Sequence, residues 1–160
     1  MNAVPTIKTK KGIIKLPCMM PVLVPMEKVM ANNYNPNHVS ENNMLLLLQS
    51  IIDNGFCFPV VTIYDSEIDR YVVIDGFHRY LIFKDYLEAD CIPVVILEHT
   101  LAERMAATVQ FNRTRGVHQT DLMGDLVQAL VQQGLTDDEI AQHLGMSMEE
   151  VYRLKQITGI

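Results

Sequence analysis

The chain has 160 residues, of which 49% are hydrophobic and 20% charged, a globular balance that excludes a wholly disordered protein. A net charge of −6 argues against a protein that coats nucleic acid by bulk charge. The longest apolar runs, such as Met44 to Leu48, fall far short of the roughly 20 residues that span a bilayer, so membrane partners are not expected.

Residues 1–19 read as a loose basic lead-in with Lys8, Lys10, Lys11 and Lys15. No apolar block with a cleavage site follows them, so they are not read as a secretory signal. Cys18, Cys57 and Cys91 are odd in number and form no C-x-x-C pair, which reads as reduced thiols in a cytoplasmic protein. Val22-Leu23-Val24, enclosed by Pro21 and Pro25, predicts a strand. Asn32 to Asn37 is turn chemistry. Ser40 then caps a helix carried by Met44, Leu45, Leu48, Ile51 and Ile52 and ended by Gly55. Pro59 to Tyr64 and Tyr71 to Ile74 predict a β-hairpin around the polar turn Asp65 to Asp69. A helix follows Asp75-Gly76 through about Tyr86, and Ile92 to Leu97 reads as a strand buried on both faces.

The remainder reads as helical. Thr100-Leu-Ala-Glu103 is a capping box opening a helix to about Asn112. Met123, Leu126, Val127, Leu130 and Val131 mark another, closed by Gly134. Two further capping boxes, Thr136-Asp-Asp-Glu139 and Ser147-Met-Glu-Glu150, flank Gly145 and predict a helix-turn-helix. The expected organisation is a lead-in over 1–19, a mixed α/β domain over 20–116 and a helical subdomain over 117–160. The chain stops just after a helix, at Thr158-Gly-Ile160, which reads as a trimmed end with dimerisation or partner-binding residues beyond it.

Three constellations bear on chemistry. In Tyr71-Val-Val-Ile-Asp-Gly-Phe-His-Arg79 a strand ends, a glycine turns the chain, and His78 and Arg79 fall in the first turn of a helix. Backbone N–H groups there favour anions, and an arginine can grip phosphate oxygens bidentately. The residues alone leave open that Gly76 only turns the chain and Arg79 pairs with an acid. Phe111-Asn-Arg-Thr-Arg-Gly116 places two arginines and an asparagine at a helix end, where they either close over an anion or complement the helix dipole. The helix-turn-helix offers Ser147, Arg153 and Lys155 to a DNA groove, but residues 117–160 hold seven acids against two bases, so packing or dimerisation is the competing use. The five histidines show no H-E-x-x-H spacing, and no metal site is predicted. No Walker A motif, dinucleotide fingerprint or G-x-S-x-G is present.

Together these segments resemble the ParB/sulfiredoxin superfamily. The residues that carry the likeness are Asn35-Pro36, Ser50-Ile-Ile-Asp-Asn-Gly55, Pro59-Val-Val, Gly76-Phe-His-Arg79, Ile92-Pro-Val94 and Asn112, followed by a ParB-type helix-turn-helix. The Asp-Gly-Phe-His-Arg variant looks especially like small ParB-like proteins of the IbrB type, some of which accompany a phosphoadenosine phosphosulfate reductase-like partner protein. The resemblance implies a small mixed sheet with packed helices and then a helix-turn-helix. It also implies a nucleotide-binding, DNA-associated regulator, a homodimer of the kind that serves chromosome partitioning or transcription regulation. Phosphates would be held by Gly76, Phe77, His78 and Arg79 and enclosed by Asn112, Arg113, Thr114 and Arg115. The nucleotide would be CTP or ATP/ADP, with magnesium as its companion.

Departures from the superfamily narrow the activity. Sulfiredoxins carry a cysteine nucleophile where this chain has Phe77, and a phenyl ring cannot attack phosphorus or sulfur. The acid of the partition-type E-N-x-x-R box is replaced by Phe111, while Asn112 and Arg115 remain. Free-serine kinases carry D-G-H-H-R, matched here at four of five positions. The alternative reading is therefore a nucleotide-dependent phosphotransferase on a small hydroxyl substrate, with Asp75 as base, His78 beside it and Glu41 as a candidate second acid.

Overall fold

A computed structural model describes residues 3–32, 39–113 and 120–159. The described residues fall into two compact units. One contains those of Met1–Ala31 and Ser40–Glu98, the other those of Asn32–Val39 and His99–Ile160.

The first unit opens with a hairpin, β1 (Thr6–Thr9) and β2 (Gly12–Lys15), where a loose lead-in was expected. Thr9 explains the difference. Its Oγ1 donates to the Gly12 carbonyl at 2.8 Å and accepts from the Lys11 amide at 3.2 Å, and Gly12 takes the positive φ that closes the turn. Then come β3 (Val22–Pro25), the short β4 (Val29–Met30), helix α1 (Glu41–Asn54), β5 (Val60–Asp65), β6 (Arg70–Asp75), helix α2 (Phe77–Leu81) and β7 (Cys91–Leu97). The Ser40 cap forms as expected, accepting from the Asn43 amide at 3.3 Å, and Gly55 ends α1 at positive φ.

Strands β3 to β7 make one mixed sheet in the order β3-β7-β5-β6-β4. β5 and β6 are the expected antiparallel hairpin. β7 runs parallel to β5 and antiparallel to β3, with Val94 opposite both Val60 and Val22. Its interior position, between β3 and β5, explains the unbroken apolar run: Ile92, Val94 and Val95 are all buried. Val60, Val73, Tyr80, Ile92 and Val94 form the centre of this unit's core.

The second unit is helical: α3 (Leu101–Arg113), α4 (Thr120–Gln132), α5 (Asp137–Leu144) and α6 (Met148–Thr158). Met105, Val109, Leu126, Leu130, Ile140 and Val151 meet in its core. α4 and α6 approach so closely at Gly124 that a Cβ there would lie 2.9 Å from the Thr158 methyl. Packing assigns α3 to the helical unit, although the sequence boundary near 116 attached it to the sheet domain. No helix among the described residues is long and apolar enough to cross a membrane.

Candidate functional site

The β6–α2 turn is built by three local features. Val61 pairs with Asp75 but Thr62 with Val73, so Ile74 is an extra residue and β6 bends as it ends. Gly76 then adopts φ 93° and ψ 28°, a left-handed conformation that costs an L-residue with a Cβ. The Gly76 carbonyl accepts from the Tyr80 amide at 2.9 Å, which starts α2, and one π-helical turn over Ile82–Tyr86 completes the predicted helical stretch.

Arg79 folds back over this glycine. A Cβ on Gly76 would sit 2.7 Å from Arg79 Nη2 and 2.9 Å from Cζ. The guanidinium donates from Nε to the Phe58 carbonyl at 2.9 Å and from Nη2 to the Pro59 carbonyl at 3.2 Å. Nη2 also lies 3.8 Å from Asp75 Oδ2. The arginine side chain is 16% exposed and the aspartate 4%, so each charge has its counterpart within the fold. A carboxylate so enclosed fits an anchor for the arginine better than a base awaiting a substrate hydroxyl. Phe77 packs its ring into the sheet core, 6.3 Å from Tyr80 and 5.5 Å from the half-buried His78 imidazole.

Asp75, Gly76, Phe77, His78 and Arg79 thus come together on one turn. Of the other half of the expected phosphate grip, Thr114 and Arg115 lie outside the described residues, and for Asn112 and Arg113 only the helical backbone at the end of α3 is described.

Glu41, at the start of α1, accepts from the Tyr86 hydroxyl at 2.8 Å on Oε1 and 3.0 Å on Oε2. That hydrogen bond to a carboxylate holds the phenol of Tyr86 above its usual pKa. Tyr86 has no sequence signal beyond its place near the end of the predicted helix. It pins the candidate second acid to α1's neighbour.

The helix pair carries both capping boxes in full. Thr136 Oγ1 accepts from the Glu139 amide while Glu139 Oε2 accepts from the Thr136 amide at 2.8 Å, and Ser147 and Glu150 repeat the arrangement. Gly145 joins the helices in the left-handed conformation. The three residues read as DNA contacts all have internal duties. Ser147 is the cap of α6, the exposed Arg153 lies 3.4 Å from Glu149, and Lys155 Nζ reaches Asp137 Oδ1 of the preceding helix at 2.8 Å.

A mixed five-stranded sheet followed by a capped helix pair is the architecture of a ParB-type chain, and comparison with known proteins agrees. The ParB N-terminal domain family matches residues 19–114, and the IbrB-like C-terminal HTH domain family matches residues 118–160. The chain belongs to the ParB N-terminal domain family, with an IbrB-like helix-turn-helix domain after it. It is 40% identical over 138 residues to the "Uncharacterized protein YbdM" of Escherichia coli (strain K12), a match covering 83% of this chain and 66% of that protein, just under two thirds of its length. Its fold resembles that of C-terminally truncated ParB from Caulobacter crescentus complexed to the centromeric parS site, with a TM-score of 0.57, 16% identity, and coverage of 87% of this chain and 72% of that one. The same protein complexed with CTP-gamma-S is similar with a TM-score of 0.52, 17% identity, and coverage of 88% and 79% respectively.

Proposed function

We propose that this protein is a ParB-like, DNA-associated regulator whose N-terminal domain binds a nucleotide through its phosphates. The observation that carries the reading is the doubly capped pair α5–α6 following a ParB N-terminal domain. Such a pair sets its second helix out for a DNA groove or for a second copy of the chain. The Caulobacter crescentus ParB structures, with a parS site in one case and CTP-gamma-S in the other, support the same pairing of ligands for this fold.

The phosphates would lie at the Gly76–Arg79 turn. Two carbonyls and Asp75 hold the guanidinium in place, so no side-chain entropy is lost in ordering it when an anion arrives. The same bonds limit what Arg79 gives a ligand directly. The imidazole of His78 stands on the same turn, and Asn112, Arg113, Thr114 and Arg115 enter this reading through the superfamily resemblance alone. Asp75 faces Arg79, and no group of three His, Cys, Asp or Glu among the described residues could hold a metal by itself, so a magnesium ion here would be carried chiefly by the nucleotide's phosphates.

The test is a thermal-shift screen over CTP, ATP and ADP, followed by calorimetric titration of the best ligand into wild type, His78→Ala and Arg115→Ala. Loss of one charge-assisted contact, about 1.5–3 kcal/mol, predicts a roughly 10- to 100-fold weaker Kd in each variant. No shift with any nucleotide, or unchanged affinity in both variants, refutes the phosphate site. DNA association is tested separately by anisotropy with labelled duplex at low salt, and no binding to any duplex refutes that half.

A further inference from the structure

We propose that the hairpin β1–β2 is a second contact surface, specific for the phosphate backbone of duplex DNA; the inference rests on the DNA-associated reading above. Residues 1–26 hold four lysines and no acid, the first carboxylate being Glu27, in a chain whose net charge is −6. Folding concentrates this asymmetry. The register pairs Thr6 with Lys15 and Lys8 with Ile13, which puts Lys8 and Lys15 on one face of the ribbon, while Lys10 and Lys11 form its turn. The ribbon is closed at both ends, by Thr9 at the turn and by the Leu16 amide donating to the Pro5 carbonyl at 2.7 Å at the base.

The four ammonium groups are exposed, and among the described residues none pairs with a carboxylate. Lys28, by contrast, is bound to Asp69. Like charges diagonally opposed on a hairpin destabilise it, and a two-stranded hairpin alone is marginal in water. Every strand residue here is exposed, so core burial does not offset that cost. The arrangement gains free energy only when a polyanion approaches.

The helix-turn-helix segment shows why such a surface is needed. Residues 117–160 hold two bases against seven acids, and both bases are engaged with an acid, Arg153 with Glu149 and Lys155 with Asp137. This segment offers little net charge for phosphate neutralisation, which dominates affinity for DNA, so basic residues elsewhere in the chain are the better source. A two-stranded ribbon is narrow enough to follow a groove. A lipid surface is the weaker fit, because membrane binding scales with buried apolar area and the face opposite the lysines offers only the Ile7–Ile14 pair.

The test compares full-length wild type with the fourfold variant Lys8→Gln, Lys10→Gln, Lys11→Gln, Lys15→Gln and with the fourfold Lys→Arg control, by anisotropy on a labelled duplex from roughly 50 to 200 mM salt. Each lost phosphate contact flattens the slope of log affinity against log salt by about 0.9, so the Gln variant should be shallower by about 2 to 4 and at least about tenfold weaker at low salt. The Arg control should keep the wild-type slope. Lys10→Gln with Lys11→Gln, confined to the turn, repeats the measurement if the fourfold variant melts below wild type. Duplex binding with an unchanged slope in the Gln variants overturns the hairpin surface and leaves the DNA reading standing. No duplex binding by wild type overturns both. Wild-type binding to phosphatidylserine vesicles that the Gln variant loses, with duplex affinity unaltered, assigns the surface to membranes instead.

Discussion

Gly76 and Arg79 act as one device, and a double-mutant cycle measures it. Gly76→Ala forces a Cβ into a backbone at φ 93°, which costs about 1–2 kcal/mol for an L-residue in the left-handed region. The new methyl also lies 2.7 Å from Nη2 and 2.9 Å from Cζ, so the guanidinium must shift, which weakens or breaks its bonds to the Phe58 and Pro59 carbonyls. Hydrogen bonds from a charged donor are worth about 1.5–3 kcal/mol each, and partial re-hydration at the surface recovers some of that. The single variant should therefore lose about 2–4 kcal/mol in total. With Arg79→Ala already in place only the backbone cost remains, and the two changes together should be less damaging than their sum by about 1–3 kcal/mol. Urea unfolding followed by tyrosine fluorescence suits the measurement, since Tyr64, Tyr71, Tyr80 and Tyr86 all lie in the sheet unit. Additivity within about 0.5 kcal/mol would refute the coupling.

Three further outcomes are expected. Ser147→Ala removes the acceptor for the Glu150 amide at the start of α6 and should destabilise the helical unit by about 1 kcal/mol in a circular-dichroism melt, with Ser147→Asp close to wild type. Asp137→Asn releases Lys155 and removes one acid, so low-salt DNA affinity should rise while stability changes by less than about 1 kcal/mol; a weaker complex would show that Lys155 has no part in DNA contact. Glu103 is held below its ordinary carboxylate pKa, chiefly by its bond from the Thr100 amide. A depressed folded-state pKa stabilises the fold above the unfolded value of 4.5 and loses that stabilisation as pH falls through the folded value. Acid titration of Glu103→Gln should accordingly lack this part of wild type's stability loss below about pH 4.5.

Local chemistry was legible and long-range choice was not. Ser40, Thr100, Thr136 and Ser147 announce helices because a cap and its N3 partner are three residues apart, and all four accept from the expected amide. The Gly76 turn was legible for a similar reason, since only glycine tolerates that φ cheaply. Where Arg79 points was not: its acceptors, Phe58 and Pro59, come from a segment twenty residues upstream. The hairpin at Thr6–Lys15 escaped because its alternation is lysine with isoleucine and no core position marks either strand. α3 joined the helical unit through Met105, Ala106 and Val109, a face whose partner no local pattern names.

The division of charge has a consequence that separates the two contact surfaces. Phosphate contacts fix orientation and carry no sequence information, whereas base edges are read by a helix or ribbon lying in the groove. If the lysine hairpin supplies neutralising charge and α6 does the reading, removing the lysines should lower affinity for every duplex alike. The ratio between a preferred and a random duplex should then stay within about threefold while absolute affinity falls tenfold or more. Substituting an exposed residue of α6 that has no part in the core, Tyr152→Ala or Gln156→Ala, should do the reverse. Selection from a random duplex pool supplies the preferred sequence, and competition titrations with both variant types measure the ratio. A hairpin variant that loses preference along with affinity would show that the ribbon reads bases itself, and the acidic helix pair would then be free for contact between copies of the chain.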